Sequence, residues 1–340
     1  MLANLLTYPY QLVVRSRLWL YQQGLKKSKR LPRPVVSVGN LTVGGTGKTP
    51  MTMWVSRYLA ATGKRVAILS RGYRRQSGKP FLLVSNGNDI LTGPKEAGDE
   101  PFLMATRCPG IVVAVGANRY ELGRWVLEQH DVDCFVLDDG FQHLNLERDL
   151  NLLLVDVSDV SSLKSLLPLG KLREPISGAR RASEIIFTRA ERQEDTESVR
   201  QLLESALGES IVPITSRFHG TGILCGGSDV VHDPFWLQGK RVCLFSGIAN
   251  AGSFRHLVER LEAQVVEELI YPDHMAYTLE TLEEIQQRAL QAQSQVLLTT
   301  EKDIVKVIPI WPYADPVWVM SLGLQFLDGQ DRLEHQLCSL

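Results

Sequence analysis

Short apolar runs rich in β-branched residues alternate along most of the chain with longer stretches in which apolar residues recur at helical spacing. From residue 34 onward this alternation predicts a parallel α/β domain, because strands covered by helices on both faces are apolar on both sides. The predicted strands are residues 35–38, 65–69, 111–115, 134–137 and 151–155, and the predicted helices are residues 48–61, 96–106 and 118–129.

A stretch rich in proline and glycine, residues 167–178, separates this part of the chain from a second one. Strand-like runs resume at residues 184–188, 241–245 and 296–299, which predicts a second, smaller α/β domain. A chain of 340 residues is also longer than one hydrophobic core usually supports. We therefore expect three parts: residues 1–33, residues 34–178 and residues 179–340.

The first part is predicted to be an amphipathic helix followed by a basic segment. The apolar positions at helical spacing are Tyr10, Val13, Val14, Leu18, Tyr21 and Leu25, and the basic residues after them are Lys26, Lys27, Lys29, Arg30 and Arg33. This pattern is typical of a helix in an anionic membrane interface, and also of a first helix packed on a core. Arg15 and Arg17 end the apolar stretch before the ~20 residues that a bilayer crossing needs, so we expect no membrane-spanning segment here.

Charge and cysteine content narrow the classes of function. The formal net charge of −1 at pH 7 gives no global electrostatic reason for nucleic-acid binding, and we expect none. The five cysteines are scattered without a C-x-x-C pair, so we expect neither a disulfide framework nor a cysteine metal site. The sequence also gives no reason to infer an obligate protein partner.

A glycine-rich loop between a predicted strand and a predicted helix is the strongest chemical signal. Its glycines let backbone N–H groups turn toward phosphate oxygens, Lys48 can reach the β- and γ-phosphates of a nucleotide, and Thr49 can hold Mg²⁺. The loop departs from G-x-x-x-x-G-K-T only at Thr42, where the first glycine is expected. The predicted nucleotide-binding residues are Val43, Gly44, Gly45, Thr46, Gly47, Lys48, Thr49 and Pro50.

Two adjacent aspartates, Asp138 and Asp139, follow the apolar run 134–137. An acidic residue at the end of such a strand lies beside the Mg²⁺ ion in enzymes with a phosphate-binding loop. Adjacent aspartates also occur in solvated turns. The phosphate-binding loop earlier in the same predicted sheet favours the metal-related interpretation.

Together with further motifs, these residues resemble the lipid A 4′-kinase (tetraacyldisaccharide 4′-kinase) family. The matching runs follow one another in collinear order over nearly the whole chain, and Thr42 is usual in that family. The runs are Ser37-Val38-Gly39-Asn40 continuing through Pro50, Ser70-Arg71-Gly72-Tyr73, Gly98-Asp99-Glu100-Pro101, Asp138-Asp139-Gly140-Phe141-Gln142-His143, Leu169-Gly170-Lys171-Leu172-Arg173-Glu174-Pro175, Phe245-Ser246-Gly247-Ile248-Ala249, Pro272-Asp273-His274 and Thr299-Thr300-Glu301-Lys302-Asp303.

The resemblance implies an ATP- and Mg²⁺-dependent lipid kinase with a P-loop α/β fold. Its acceptor would be the 4′-hydroxyl of a tetraacylated glucosamine disaccharide 1-phosphate, in lipid A biosynthesis. Such an enzyme would work at the cytoplasmic face of the bacterial inner membrane. A lipid acceptor stays in the bilayer, so the resemblance favours the interfacial interpretation of the first helix.

Carried over by position, the resemblance makes Asp99 the general base for the sugar hydroxyl, with His274 as its partner. The residue pattern alone, without the family resemblance, predicts that Asp99 is a helix N-cap and that His274 lies in a turn after a strand. Asp138 and Asp139 would serve the Mg²⁺ site with Thr49, and which aspartate contacts the metal is left open. Further roles follow by the same carry-over: Arg119 and Arg173 would neutralise phosphate, whereas Glu100, Gln142, His143 and Glu174 have either structural or functional roles.

Two other functions use the same kind of loop. Membrane-associated ATPase switches of the partitioning or targeting type carry a lysine where this chain has Val43, which argues against that class. A soluble small-molecule kinase would use the first helix only for packing. The run Thr300–Asp303 does not have the spacing of the guanine-binding motif of GTPases, because Lys302 directly precedes Asp303.

Overall fold

The computed structural model describes residues 2–340, with the side chains of residues 8–340. Its α-helices are α1 Leu2–Gln22, α2 Lys48–Ala61, α3 Pro94–Ala97, α4 Asp99–Arg107, α5 Arg119–Leu127, α6 Gln193–Leu207, α7 Ala251–Glu259, α8 Leu279–Gln291, α9 Glu301–Val307 and α10 Gln330–Cys338. Its strands are β1 Val35–Asn40, β2 Val66–Ser70, β3 Phe81–Asn86, β4 Val112–Gly116, β5 Cys134–Asp138, β6 Leu150–Asp156, β7 Glu184–Thr188, β8 Ile214–Cys225, β9 Val231–His232, β10 Arg241–Ser246, β11 Gln264–Ile270, β12 Val296–Thr300 and β13 Val317–Asp328.

The strands of residues 2–340 form a single sheet in the order β11-β10-β12-β13-β8-β7-β6-β1-β5-β2-β4-β3, with β9 added to β8. Most neighbours are parallel, and the antiparallel pairs are β3 with β4, β8 with β13 and β8 with β9. The predicted α/β class with a parallel sheet is therefore confirmed. Strand β1 lies between β5 and β6, so the loop after β1 opens at the carboxyl edge of the central strands.

Helices cover both faces of the first half of the sheet. On one face, α2 buries Met51, Val55 and Leu59 against alternate residues of β1, β2 and β5. On the other face, α5 buries Leu122 and Val126 against the opposite side of the same strands. Burial on both faces explains why these strands are apolar without alternation. The packed strands also hold the positions at which the loops of the carboxyl edge begin.

The second half repeats this layering around β10 and β12, with α7 on one face and α8 on the other. The sheet continues across the predicted domain boundary between residues 178 and 179, because β7 pairs in parallel with β6 and β8 pairs in parallel with β7. Helix α10 also returns to the first half, where Leu333 and Leu337 join the core around α2. The division into residues 1–33, 34–178 and 179–340 stays a prediction.

The prediction of one helix over residues 96–106 is wrong, because the chain forms two helices there, α3 and α4. Gly98 separates α3 from α4 with φ +95°, a conformation that an L side chain rarely adopts, and a Cβ at this position would lie 3.0 Å from the carbonyl oxygen of Tyr73. Helix α4 consequently begins at Asp99. Gly98 occupies the N-cap position and the Asp99 side chain caps nothing, so the N-cap interpretation of Asp99 is wrong.

Helix α1 is longer than the predicted one and contacts the body along one face. Tyr10, Val14 and Leu18 are half-buried, and the Tyr10 hydroxyl donates a hydrogen bond of 2.7 Å to the Arg173 carbonyl oxygen. Large apolar side chains on another face stay exposed, namely Tyr8, Leu12 and Trp19, and Val13 is exposed next to the contacting face. Within residues 2–340, no helix has the length and hydropathy needed to cross a bilayer.

Candidate active site

A cleft of about 1300 Å³ opens at the carboxyl edge of the sheet. The loop after β1 and the ends of β2 and β5 form one wall, and residues 248–260 with the turn after β11 form the other. Helix α1 contributes Tyr10, Val14 and Leu18 to the rim. The cleft is therefore polar near the glycine loop and mainly apolar near the first helix, where Arg17 also lines it.

The glycine loop has the backbone of a phosphate-binding loop. Gly44 and Gly47 have φ of +116° and +88°, which require glycine, and α2 begins directly after Gly47. Thr46 is fixed on both sides, because its hydroxyl accepts a 2.9 Å hydrogen bond from the Asn40 amide and its carbonyl oxygen accepts a 3.1 Å bond from the Thr188 hydroxyl. The predicted loop residues from Val43 to Pro50 all line the cleft.

Thr42 fits the place where a first glycine was expected. It is buried and forms a backbone bridge with Leu172, in the segment that precedes Arg173. Val43 N–H donates to the Lys171 carbonyl oxygen at 2.8 Å in the same place. The departure from the usual loop pattern thus attaches the phosphate-binding loop to the segment that carries Arg173.

Lys48 points back over the loop that precedes it. Its Nζ lies 3.5 Å from the Gly44 carbonyl oxygen and 3.7 Å from Asp139 Oδ1. Nucleotide phosphates bind where a lysine ammonium group lies beside a glycine loop at the N-terminus of a helix, whose free N–H groups contact the phosphate oxygens. Lys48 lines the cleft at this loop, and its contact with phosphate stays a prediction.

Asp138 is a buried carboxylate at the end of β5. Its Oδ2 accepts a 2.9 Å hydrogen bond from the Ser70 hydroxyl, and its Oδ1 lies 3.5 Å from the Thr52 hydroxyl. Burial raises the pKa of Asp138 to about 7, and the charges of Glu100 and Asp139 add to the shift. Hydroxyl donors alone leave the charge of this carboxylate poorly compensated.

Asp139 is paired with two cations. Arg173 Nη1 contacts its two carboxylate oxygens at 2.9 and 2.8 Å, and Lys48 is the second cation. Burial by itself raises the pKa of Asp139, but Lys48 and Arg173 outweigh it and hold the pKa below its ordinary value. The two neighbouring aspartates therefore differ: Asp139 forms ion pairs with Arg173 and Lys48, whereas the hydrogen-bond partners of Asp138 are hydroxyl groups and the charge of Lys48 acts on it only from a distance.

The residues around Arg173 form a continuous polar network. Gln142 Nε2 donates to the Asn40 carbonyl oxygen at 2.7 Å and to Glu174 Oε1 at 2.9 Å, and Arg173 Nη1 lies 3.3 Å from Gln142 Oε1. Glu174 is buried and accepts two bonds from Arg181, at 2.8 and 2.7 Å. Gln142 and Glu174 thus contact both the loop and Arg173, and whether their roles are structural or functional stays open.

Arg119 lies behind the cleft wall rather than on it. It begins α5, is 5% exposed, and donates from Nη1 to the Ala117 carbonyl oxygen at 2.9 Å. Burial lowers the pKa of Arg119 to about 10. His143 accepts a 3.3 Å bond from the Arg119 backbone N–H, and burial with nearby arginines lowers the pKa of His143 to about 3. A direct contact of Arg119 with phosphate stays a prediction.

Asp99 and His274 meet at the wall of the cleft, although they are far apart in the chain. His274 Nδ1 lies 3.4 Å from Asp99 Oδ2, and both side chains are largely buried. Burial by itself raises the pKa of Asp99, but His274 and Lys306 outweigh it and lower the pKa. The carboxylate is therefore ionised at neutral pH, as a general base must be. His274 has φ +62° and lies in the turn after β11, as the interpretation without the resemblance predicted.

Side chains of residues 8–340 contain no group of three or more His, Cys, Asp and Glu residues placed to hold a metal. A Mg²⁺ ion bound with a nucleotide needs fewer protein ligands, because phosphate oxygens and waters complete its shell. Asp138 fits such an ion, since its buried charge has only hydroxyl partners. Thr49 lines the same cleft.

Sequence reasoning gave no role to two lysines of α9 that contact the Asp99–His274 pair: Lys302 was named only in a matching run and against the guanine-binding motif, and Lys306 was not named. Lys302 Nζ lies 3.3 Å from His274 Nε2, and Lys306 Nζ lies 3.7 Å from Asp99 Oδ2. A signal was present, because two lysines four residues apart lie on one face of a helix that begins where a buried strand ends. Tyr73, whose ring centroid is 5.3 Å from that of His274, was known only as part of a matching run.

Comparison with known proteins gives one consistent result. Residues 1–340 match the family model described as tetraacyldisaccharide-1-P 4′-kinase, LpxK. The tetraacyldisaccharide 4′-kinase of Pelobacter propionicus is 41% identical over 88% of this chain and 81% of the relative. That of Syntrophus aciditrophicus is 38% identical over 96% and 89%. The crystal structure of LpxK from Aquifex aeolicus in complex with ATP matches with a TM-score of 0.77 and 33% identity, over 100% of this chain and 99% of the other. The chain belongs to the tetraacyldisaccharide-1-P 4′-kinase family.

Proposed function

We propose that this chain transfers the γ-phosphate of ATP to the 4′-hydroxyl of a tetraacyldisaccharide 1-phosphate, a step of lipid A biosynthesis. The observation that carries the proposal is the cleft that is lined by both the phosphate-binding loop and His274, whose Nδ1 lies 3.4 Å from Asp99 Oδ2 just behind the lining. Membership of the kinase family and an ATP complex of a relative of the same length support the assignment.

The chemistry follows from what each wall of the cleft offers. The loop from Gly44 to Thr49 binds the β- and γ-phosphates, and Lys48 neutralises their charge. Asp99 accepts the proton of the acceptor hydroxyl as its oxygen forms a bond to the γ-phosphorus and the bond from that phosphorus to the β,γ-bridging oxygen breaks. Positioning and charge neutralisation supply most of the rate in such transfers.

A divalent cation is part of the proposal. Asp138, with Thr49, is the residue set that would hold Mg²⁺, because Asp139 is already paired with Arg173 and Lys48. Bound Mg²⁺ would neutralise charge on the β- and γ-phosphates during transfer. Arg173 lies beside this position and is the protein cation that would contact the moving phosphate or the acceptor's 1-phosphate.

We also propose that α1 lies on an anionic membrane surface. Tyr8, Leu12 and Trp19 are exposed by 75%, 69% and 53%, more than a helix used only for packing would leave in water. The basic cluster at residues 26–33 follows directly. Because ATP is supplied in the cytoplasm, the enzyme would act at the cytoplasmic face of the inner membrane, with the acceptor reaching the cleft along α1.

The test is transfer of labelled γ-phosphate to tetraacyldisaccharide 1-phosphate in mixed micelles, with and without Mg²⁺. Wild type should label the lipid only with Mg²⁺, and Lys48→Ala and Asp99→Ala should lose labelling. Lys95→Ala serves as the matched control, since Lys95 is exposed on α3 and outside the cleft. ATP hydrolysis without lipid labelling would refute the acceptor, and labelling by Asp99→Ala at the wild-type rate would refute the base.

A further inference from the structure

Helix α9 carries a lysine that contacts the acceptor-side pair and that the proposed reaction does not use. Lys302 Nζ lies 2.9 Å from Asp273 Oδ1, 3.1 Å from Glu100 Oε1 and 3.3 Å from His274 Nε2. Glu100 belongs to α4 of the first half, whereas Asp273 and His274 belong to the turn after β11. One ammonium group therefore joins the two walls of the cleft beside the catalytic pair.

The ammonium group of Lys302 is held as a cation. Its side chain is 16% exposed. Burial lowers the pKa of Lys302, but the carboxylates of Glu100 and Asp273 outweigh the burial and raise the pKa above its ordinary value. A charged ammonium has three N–H donors and no acceptor. Its three neighbours, Glu100, Asp273 and His274, match those three donors in number.

The contacts with Lys302 and Asp99 together decide which nitrogen of His274 carries a proton. Asp273 Oδ2, 3.9 Å from Nε2, is the competing acceptor. Since the ammonium can only donate, Nε2 of His274 has to accept, because two N–H groups facing each other at 3.3 Å would repel. In a neutral imidazole the proton then lies on Nδ1, the nitrogen that is 3.4 Å from Asp99 Oδ2. His274 in this tautomer donates to Asp99.

The backbone of His274 also depends on its surroundings. Its φ of +62° is uncommon for a residue with a side chain, and such a conformation persists only where neighbouring contacts impose it. The contacts are the backbone bond of 3.3 Å to the Gly247 carbonyl oxygen, the Tyr73 ring and Lys302. Of these three, Lys302 contacts a ring nitrogen, Nε2, and Asp99 is the partner of the other ring nitrogen, Nδ1.

We propose that Lys302 is a positioning residue for phosphoryl transfer. Lys302 fixes His274 in the tautomer protonated on Nδ1, and the Nδ1–H group then donates a hydrogen bond to Asp99 Oδ2 and holds the carboxylate in place. The Lys306 ion pair falls on the same oxygen. Asp99 Oδ1 is then left to take the proton of the acceptor hydroxyl. The inference rests on the proposed function, because it gives Lys302 a task only if Asp99 is the base.

The first arm of the test measures the tautomer without any reaction. The full chain is labelled with ¹⁵N-histidine, and long-range ¹H–¹⁵N correlation spectra are recorded at mildly alkaline pH; His274→Gln identifies the His274 signals among the seven histidines. Wild type should show a protonated Nδ1 and an unprotonated Nε2. Lys302→Met should shift His274 toward the tautomer protonated on Nε2, and Lys302→Gln, whose amide can still donate to Nε2, should keep the wild-type tautomer.

The second arm measures lipid phosphorylation by the same variants. Lys302→Met should lower kcat about 10- to 100-fold, with the KM for ATP unchanged, and Lys302→Gln should recover part of the loss. Circular dichroism and thermal unfolding verify that each variant is folded, and Lys95→Met is the matched loss of a lysine at an exposed site. An unchanged His274 tautomer in folded Lys302→Met, or a changed tautomer with wild-type kcat, would overturn the inference. If wild type does not phosphorylate the lipid at all, the proposed function fails, and the tautomer arm still reports on Lys302.

Discussion

His274 Nδ1 and Asp99 Oδ2 lie 3.4 Å apart although 175 positions separate the two residues in the chain. Asp99 begins a helix in the first half of the sheet, and His274 lies in a turn of the second half. The general base proposed for the reaction is therefore assembled from both walls of the cleft, and each wall can be tested separately.

Removing either member of this pair should slow the chemical step more than it weakens ATP binding. Asp99→Asn should lower kcat about 100- to 10,000-fold, because the amide cannot accept the hydroxyl proton, and His274→Gln should lower it less, because the carboxylate remains. Steady-state kinetics of lipid phosphorylation measures both. The control is His335→Gln, an exposed histidine of α10. A rise in the KM for ATP as large as the fall in kcat would indicate that Asp99 and His274 have a structural role instead.

The buried charge of Asp138 should make the fold less stable as pH rises. Its pKa of about 7 lies above that of the unfolded chain, so stability is lost as pH increases from about 4 to about 7 and stays low above that. The Asp138→Asn variant has no charge to bury, so its stability should not fall in this way. Its free energy of unfolding should exceed that of wild type by on the order of 2 to 4 kcal/mol at alkaline pH and differ little near pH 4. Urea unfolding at several pH values measures it. A variant less stable than wild type at alkaline pH would contradict the proposed environment of Asp138.

The Asp139–Arg173 pair should be coupled in stability. Removing Arg173 leaves a carboxylate that is one-third exposed, with Lys48 at 3.7 Å and the charge of Arg119 nearby. Arg173→Met should therefore cost on the order of 1 to 3 kcal/mol of unfolding free energy, and much less in an Asp139→Asn background. A double-mutant cycle measures the difference. The surface pair Arg200–Glu197 is the matched control and should show a coupling below about 1 kcal/mol. Equal coupling in both pairs would mean that solvent screens Asp139.

Membrane association should depend on the exposed apolar face of α1. Leu12→Ser with Trp19→Ser removes two side chains that are exposed in the structure and lie outside the cleft. Sedimentation with anionic vesicles should show binding weakened about tenfold or more, because apolar burial in the interface is lost. Val212→Ser, at an equally exposed apolar position, should bind like wild type. Unchanged binding of the double variant would place the membrane contact elsewhere.

Local structure around the loop was predictable because local rules set it. The predicted helix 48–61 and strand 184–188 coincide with Lys48–Ala61 and Glu184–Thr188. Gly47 and Gly63, both at positive φ, bracket α2. The break at Gly98 was missed because a single glycine within a helical pattern is tolerated, and a tertiary contact with Tyr73 decides its conformation here.

Long-range relationships could not be predicted from the sequence. The pairing of β7 with β6, and of β8 with β13, makes one sheet from what the sequence divides into two domains. The pairing of β10 with both β11 and β12 brings Lys302 to His274. The geometry of the loop, not the spacing of Asp138 and Asp139, gives Asp139 an ion pair with Arg173 and leaves Asp138 with hydroxyl partners. Side-chain position in these cases depends on strand order, which residue patterns do not specify.

The position of the transferred phosphate tests the account most directly. The purified chain would be incubated with ATP, Mg²⁺ and tetraacyldisaccharide 1-phosphate in micelles, and the isolated lipid examined by ³¹P–¹H correlation NMR. The account predicts a second phosphorus that couples to the proton on carbon 4′ and depends on Lys48 and Asp99. A lipid that keeps one phosphate while ATP is consumed, or a phosphate on another hydroxyl, would contradict it.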